Sequence, residues 1–408
     1  APLRNAIAIN PLSIEAYDNL GLAYANMGEH EKSLAPYLEL ARIDFRNPVA
    51  HYKAGVAYSR FNKKRKAIKK FEEAIRLNED FPEAQFNIAW LYQELGEAKN
   101  ALQFYNNTIK YDPNNLEAFY NTGEIHESFE RYQMAAKAFR EVIRIDPDHV
   151  EAQAKLGRSY AKLNLPEEAL AEFNIALRIN PNLAETYYQL GNTYGELKRE
   201  KEGLQPLRKA IQLKPGYLKA IYLLGKFNTV LENYFEAIPS LKSVDKTEPG
   251  FGETDFLLGK SLLKTGQNHD ALPYLQKAVL SNPKFSKAQY FLGQSLINIG
   301  RYKEALEPLK MAVEFQPDLS EGFNFLGETY QKLGNYAEAI KAYKSAINIY
   351  PDFISAHNNL GTIYTFQKDY VKAINSFKQT IQINPEFQNG FLNLGMIYEI
   401  LSRYPEAI

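Results

Sequence analysis

Through residues 184–197, AETYYQLGNTYGEL, apolar side chains recur at three- and four-residue steps. That spacing gathers them on one stripe of an α-helix, which can be buried while the opposite face meets water. The pattern returns along the whole chain as a first helix, a polar turn, a second helix and a closing proline. The period is 34 residues, and the 408 residues make twelve periods without insertion or deletion. Proline ends ten of the twelve: Pro11, Pro113, Pro147, Pro181, Pro215, Pro249, Pro283, Pro317, Pro351 and Pro385. It stops the second helix because it has no amide hydrogen to donate.

Glycine keeps the register. Gly21, Gly55, Gly123, Gly157, Gly191, Gly225, Gly259, Gly293, Gly327, Gly361 and Gly395 share it, and only Ala89 interrupts. A glycine inside a helix costs roughly 1 kcal/mol relative to alanine, so its recurrence predicts the close approach of a neighbouring helix. Twelve residues on, alanine stands in ten of twelve periods, as at Ala67, Ala169 and Ala305, a small partner on the second helix. Ser33 and Gly203 replace it. Sixteen residues on comes Tyr37, Phe71, Tyr105, Phe139, Phe173 or a leucine, expected to fill the space between repeats. Three residues after the glycine, tyrosine stands in eight of twelve periods, with Asn228, Leu262 and Leu296 among the departures.

These positions resemble the tetratricopeptide repeat over the whole chain. The resemblance implies an all-α fold, a right-handed superhelical solenoid of about twelve 34-residue antiparallel helix pairs. Its first helices would line a concave groove for peptides or partner proteins. The expected organisation is the second half of a repeat at residues 1–13, eleven consecutive repeats over 14–387 as one solenoid, and the first half of a twelfth at 388–408. Written end before start, RYPEAI and APLRNAIAINP make one complete second helix in register. Either a longer solenoid has been excerpted, or copies continue head to tail as a filament.

The remaining composition narrows function. Forty-eight basic residues balance forty-eight acidic ones, which speaks against nucleic acid as a partner. No apolar run could insert in a membrane. The lack of cysteine removes disulfides and thiolate chemistry. Six histidines lie in separate repeats without a metal-binding spacing, and the glycines recur singly instead of forming a phosphate loop. The expectation is therefore no catalytic residue, no metal and no cofactor, and compartment is left open. The basic run at residues 62–70, NKKRKAIKK, reads as a solvated turn or a patch for an acidic surface.

Candidate partner-binding residues come from two register positions before the glycine. Three before it stand aromatic residues, Tyr188 and Tyr222 among them, as amphipathic rings for a peptide. Two before it stand Asn87 and Asn121 early and Asn359 and Asn393 late. An amide both donates and accepts, so such a ladder suits a peptide backbone. In this the outer repeats are similar to the repeat arm of the O-linked N-acetylglucosamine transferase. Between them Leu223, Leu257, Phe291 and Phe325 predict an exposed apolar patch. Leu257→Asp with Phe291→Asp would then abolish binding and spare helicity. Pro206, Pro239, Pro273 and Pro308 in the neighbouring second helices predict local bends. The leading function is a protein-interaction scaffold; the alternatives are a filament subunit, or the regulatory arm of an enzyme.

Overall fold

The computed structural model describes residues 2–407. Every regular element among them is an α-helix. Ala1 and Ile408, on which the expected end-to-end joint falls, lie outside the described residues. Contacts gather into two compact units, Ala1–Arg199 and Glu200–Ile408.

In the first unit α1 (Pro2–Ile9) precedes five hairpins. They pair α2 (Ile14–Asn26) with α3 (His30–Ile43), α4 (Pro48–Arg60) with α5 (Lys64–Leu77), α6 (Pro82–Glu94) with α7 (Ala98–Tyr111), α8 (Leu116–Ser128) with α9 (Tyr132–Ile145), and α10 (Val150–Lys162) with α11 (Pro166–Ile179). The unit closes with α12 (Ala184–Glu196). The second unit opens with α13 (Glu200–Leu213). It then pairs α14 (Leu218–Val230) with α15 (Tyr234–Thr247), α16 (Thr254–Lys264) with α17 (Asn268–Ser281), α18 (Ser286–Asn298) with α19 (Tyr302–Phe315), α20 (Ser320–Lys332) with α21 (Tyr336–Ile349), and α22 (Ile354–Phe366) with α23 (Tyr370–Ile383). Then come α24 (Gln388–Ile400) and the short α25 (Tyr404–Ala407). Within each unit the partners of a hairpin pack on each other, and each second helix packs on the following first helix.

The sequence specifies the helix ends. Ser13, Asn47 and Asn115 accept backbone amides at the starts of α2, α4 and α8. Pro48, Pro82 and Pro166 occupy first turns, where no amide is needed. First helices end on a left-handed residue seven places after the register glycine. That residue is glycine at Gly28, Gly96, Gly266, Gly300 and Gly334. It carries a side chain at Asn62, Glu130, Asn164, Lys198, Glu232, Lys368 and Ser402, with φ between +53° and +61°. The next amide then reaches back five residues, as Lys63 N does to Tyr58 O at 2.9 Å, which satisfies a terminal carbonyl.

Inside the first helices, Gly21, Gly55, Gly123, Gly157, Gly225, Gly259, Gly293, Gly327 and Gly361 face the side chain sixteen residues on. A Cβ at Gly55 would lie 2.6 Å from Phe71 Cδ1 and Cε1. At Gly157 it would lie 2.8 Å from the Phe173 ring and 3.2 Å from the Ala169 carbonyl oxygen, so the small partner twelve residues on matters too. The sixteenth residue therefore fills space within its own hairpin. Ala89 takes the glycine place opposite Tyr105, and both are fully buried. The departures also fit. Leu262 and Leu296 are buried, and buried Ser33 donates from Oγ to the His30 carbonyl at 2.7 Å.

Pro206, Pro239, Pro273 and Pro308 lie inside α13, α15, α17 and α19, as Pro36 does inside α3, and all five helices run on unbroken. Each forgoes one backbone hydrogen bond. The core follows the repeats. The first unit holds a series of small clusters, one about Phe71 and Ile88 and another about Phe139 and Leu156. The second holds a larger cluster spanning Ala237 to Ala342 and a second about Tyr343 and Phe377.

Candidate partner-binding clefts

The expected groove asparagines face neighbours before they face a partner. Asn87 donates from Nδ2 to the Glu83 carbonyl at 2.8 Å and to the Tyr52 hydroxyl at 3.2 Å. Tyr105 is fully buried; its hydroxyl donates to Gln93 Oε1 at 2.8 Å and accepts from Asn121 Nδ2 at 3.1 Å. Burial pushes that phenol well above its ordinary range, so it remains a donor. The second unit repeats the device: buried Tyr343 donates to Gln331 Oε1 at 2.9 Å, with Asn359 hydrogen-bonding beside it. Asn393 donates to Asn358 Oδ1 at 2.9 Å. Asparagines expected both to donate and to accept have thus spent donors internally, and Asn87 and Asn121 keep Oδ1 as acceptors.

The expected exposed apolar patch is corrected. Leu257 is 5% and Phe291 9% exposed, both within the second unit's core, while Leu223 and Phe325 are half-buried. Spacing placed the four on one face, but neighbouring first helices close over them. The double aspartate change would therefore bury two charges, and helicity would not be spared. Tyr222 accepts the Glu253 amide at 3.1 Å and packs edge-on against Phe251, holding the turn before α16. Tyr188 is half-buried, its phenol raised by burial and by Glu185 and Glu196.

Among the open clefts, one on each unit involves the expected register positions. The first, of about 540 Å³, lies across α6 and α8. Phe86, Trp90, Leu116 and Tyr120 supply its apolar surface, and Asn87, Gln93, Glu94, Glu117, Asn121 and His149 its polar rim. Trp90 is 42% exposed and is the chain's single tryptophan. The His149 ring stacks on Tyr120 at 5.3 Å and accepts the Ala152 amide at Nδ1, which leaves its proton on Nε2. No lysine or arginine lines this cleft. Trp90 lies outside the register positions that the sequence singles out. The signal was a large indole directly after the register position, where Glu124, Arg158, Asn192, Lys226 and Lys260 stand in later repeats.

The second cleft, of about 410 Å³, lies across α14, α16 and α18. Its floor is Phe256, Leu257, Tyr290 and Phe291, and its rim carries Lys226, Lys260, Lys287, Glu253 and Glu321. Burial raises the Tyr290 phenol to about 12. The basic run offers less than its composition suggested, since Lys64 pairs with Glu94, Arg65 with Glu97 and Lys70 with Glu73. Among the described residues no group of three His, Asp or Glu could hold a metal ion, and no helix is long and apolar enough to cross a membrane.

Family models described as tetratricopeptide repeat match residues 14–47, 52–184, 184–217, 256–320 and 318–386, most of the chain. The chain belongs to the tetratricopeptide repeat family. Such repeats form scaffolds that bind peptides or proteins and are typically not catalytic. Among solved structures, the chain is 30% identical to YrrB, a tetratricopeptide protein with an unusual peptide-binding site. That match covers 45% of this chain and 95% of YrrB at a TM-score of 0.41. It is 28% identical to MamA, covering 40% and 95% at 0.38. The Cut9–Hcn1 hetero-tetramer of the APC/C is 13% identical, covering 94% and 96% at 0.46. A comparison with curated proteins returned no match.

Proposed function

We propose that this tetratricopeptide protein is a non-catalytic interaction scaffold whose first unit holds an extended partner segment in the Trp90 cleft. The observation that carries this reading is a half-exposed indole above a concave surface that holds uncommitted acceptors. Asn87 and Asn121 offer Oδ1 and Glu117 a carboxylate, while Glu94 pairs with Lys64. A partner must then supply N–H donors, from its backbone and from a lysine or arginine, and lay an apolar side chain against Trp90. Aromatic anchors of this kind dominate binding energy where they occur.

The test is to select peptides from a displayed random library on the purified chain and titrate them against its intrinsic fluorescence. With one tryptophan in the chain, emission reports occupancy of this cleft directly. Selected peptides should be basic and carry an aromatic or aliphatic residue. Read by anisotropy of labelled peptides, since this variant has no tryptophan to emit, Trp90→Ala should weaken them at least about tenfold. Peptides that bind without moving the emission, and equally well to Trp90→Ala, would place the site elsewhere.

A further inference from the structure

Lys226, Lys260, Lys264 and Lys287 converge on the second unit's cleft or its edge, and none has a carboxylate within ion-pair distance among the described residues. The lysines of the basic run Lys64 to Lys70 contrast with them, for two of these are neutralised by glutamates. Lys260 is half-buried. Its ammonium lies 5.8 Å from the Phe291 ring centre and 5.9 Å from that of Tyr234, and Lys264 lies 5.7 Å from the same Phe291 ring. Ring faces soften the cost of burying an ammonium, but they leave its charge uncompensated. Burial holds the Lys260 amine below the usual lysine range, and Lys264 and Lys287 add to that while Glu232 opposes it.

We propose that this cleft takes an acidic segment of a partner protein, with a large apolar side chain next to its carboxylates. The carboxylates would meet Lys226, Lys260 and Lys287, and the apolar side chain would rest on half-buried Tyr290 and Leu319 beside exposed Val230. Glu253 and Glu321 stand on the same rim. They would repel a continuous polyanion such as nucleic acid, but tolerate a peptide whose negative charge is local. The site is separate from the Trp90 cleft and of opposite charge preference, so either reading can fail without the other.

The experiment uses the full chain and fluorescein-labelled peptides, with one central phenylalanine flanked by glutamates as the probe. A polyglutamate peptide without phenylalanine, a lysine-flanked counterpart and a single-stranded oligonucleotide serve as comparisons. Fluorescence anisotropy should show the glutamate–phenylalanine peptide binding best, with affinity falling as salt rises. Lys260→Gln and, separately, Lys226→Gln should each weaken it about tenfold while circular dichroism stays unchanged. Two independent variants guard against a local packing effect at either one. Equal binding of the oligonucleotide, equal binding of polyglutamate, or unaltered affinity in both variants would overturn the proposal.

Discussion

Gly55 and Gly293 occupy the same register position and face different side chains. A methyl group at Gly55 would press into the Phe71 ring, and at Gly293 into the Leu309 side chain, 2.5 Å from its Cγ. Overpacking a core costs about 1–3 kcal/mol, and alanine returns roughly 1 kcal/mol of helix propensity. Gly55→Ala and Gly293→Ala should therefore each lower stability, by up to about 2 kcal/mol net. Guanidinium denaturation of the two variants decides the matter; a gain at both positions would remove close packing as the reason for the glycines. These glycines were legible because their reason is local and repeats. The depth of Leu257 and Phe291 was not, because helical spacing reports the face a side chain occupies and not how far the next hairpin covers it. The asparagines misled similarly. Their role as partners of Tyr52, Tyr105 and Tyr343 depends on hydroxyls from other helices, and single-position reading does not see such pairs.

At the level of helices packed on helices, α15, α16 and α17 enclose an electrostatic cost. Asp245 on α15 and Asp255 on α16 each have a buried carboxylate oxygen without a hydrogen-bond partner. Burial raises the Asp255 carboxyl above the usual aspartate range; Lys277 counters this and Asp245 reinforces it. A carboxyl whose pKa is higher folded than unfolded binds its proton more tightly in the fold. Stability is then lost as pH climbs from the ordinary aspartate value through the raised one, and the loss persists at neutral pH. Asp255→Asn should raise the urea midpoint at pH 7, and the gain should vanish once the solution is acidic enough to protonate an ordinary aspartate. A gain that is absent at pH 7, or that survives acidification, would contradict this account.

Over the molecule as a whole, each helix touches only its neighbours within a unit, so damage should stay near where it is made. Leu257→Asp combined with Phe291→Asp places two carboxylates in the second unit's core. Burying an unpaired charge is among the few changes that reach several kcal/mol. Hydrogen exchange should lose protection over α14 to α19 and keep it over α4 to α9. Uniform loss across both units would mean that the array unfolds as a single cooperative body. The two clefts belong to this scale as well: a chain with no net charge still presents an acceptor-rich surface on one unit and a lysine-rich one on the other.

The left-handed residues that end the first helices carry a consequence of their own. Seven of these corners bear a side chain where others in the same register use glycine. Holding an ordinary residue there costs about 1–2 kcal/mol. The molecule thus keeps several kcal/mol of unclaimed rigidity, lodged in surface elbows, one of which, Glu232, stands two residues past Val230 beside the second cleft. A lineage needing stiffer hairpins could collect it one elbow at a time, sparing Glu232 to leave the second cleft's charges as they are.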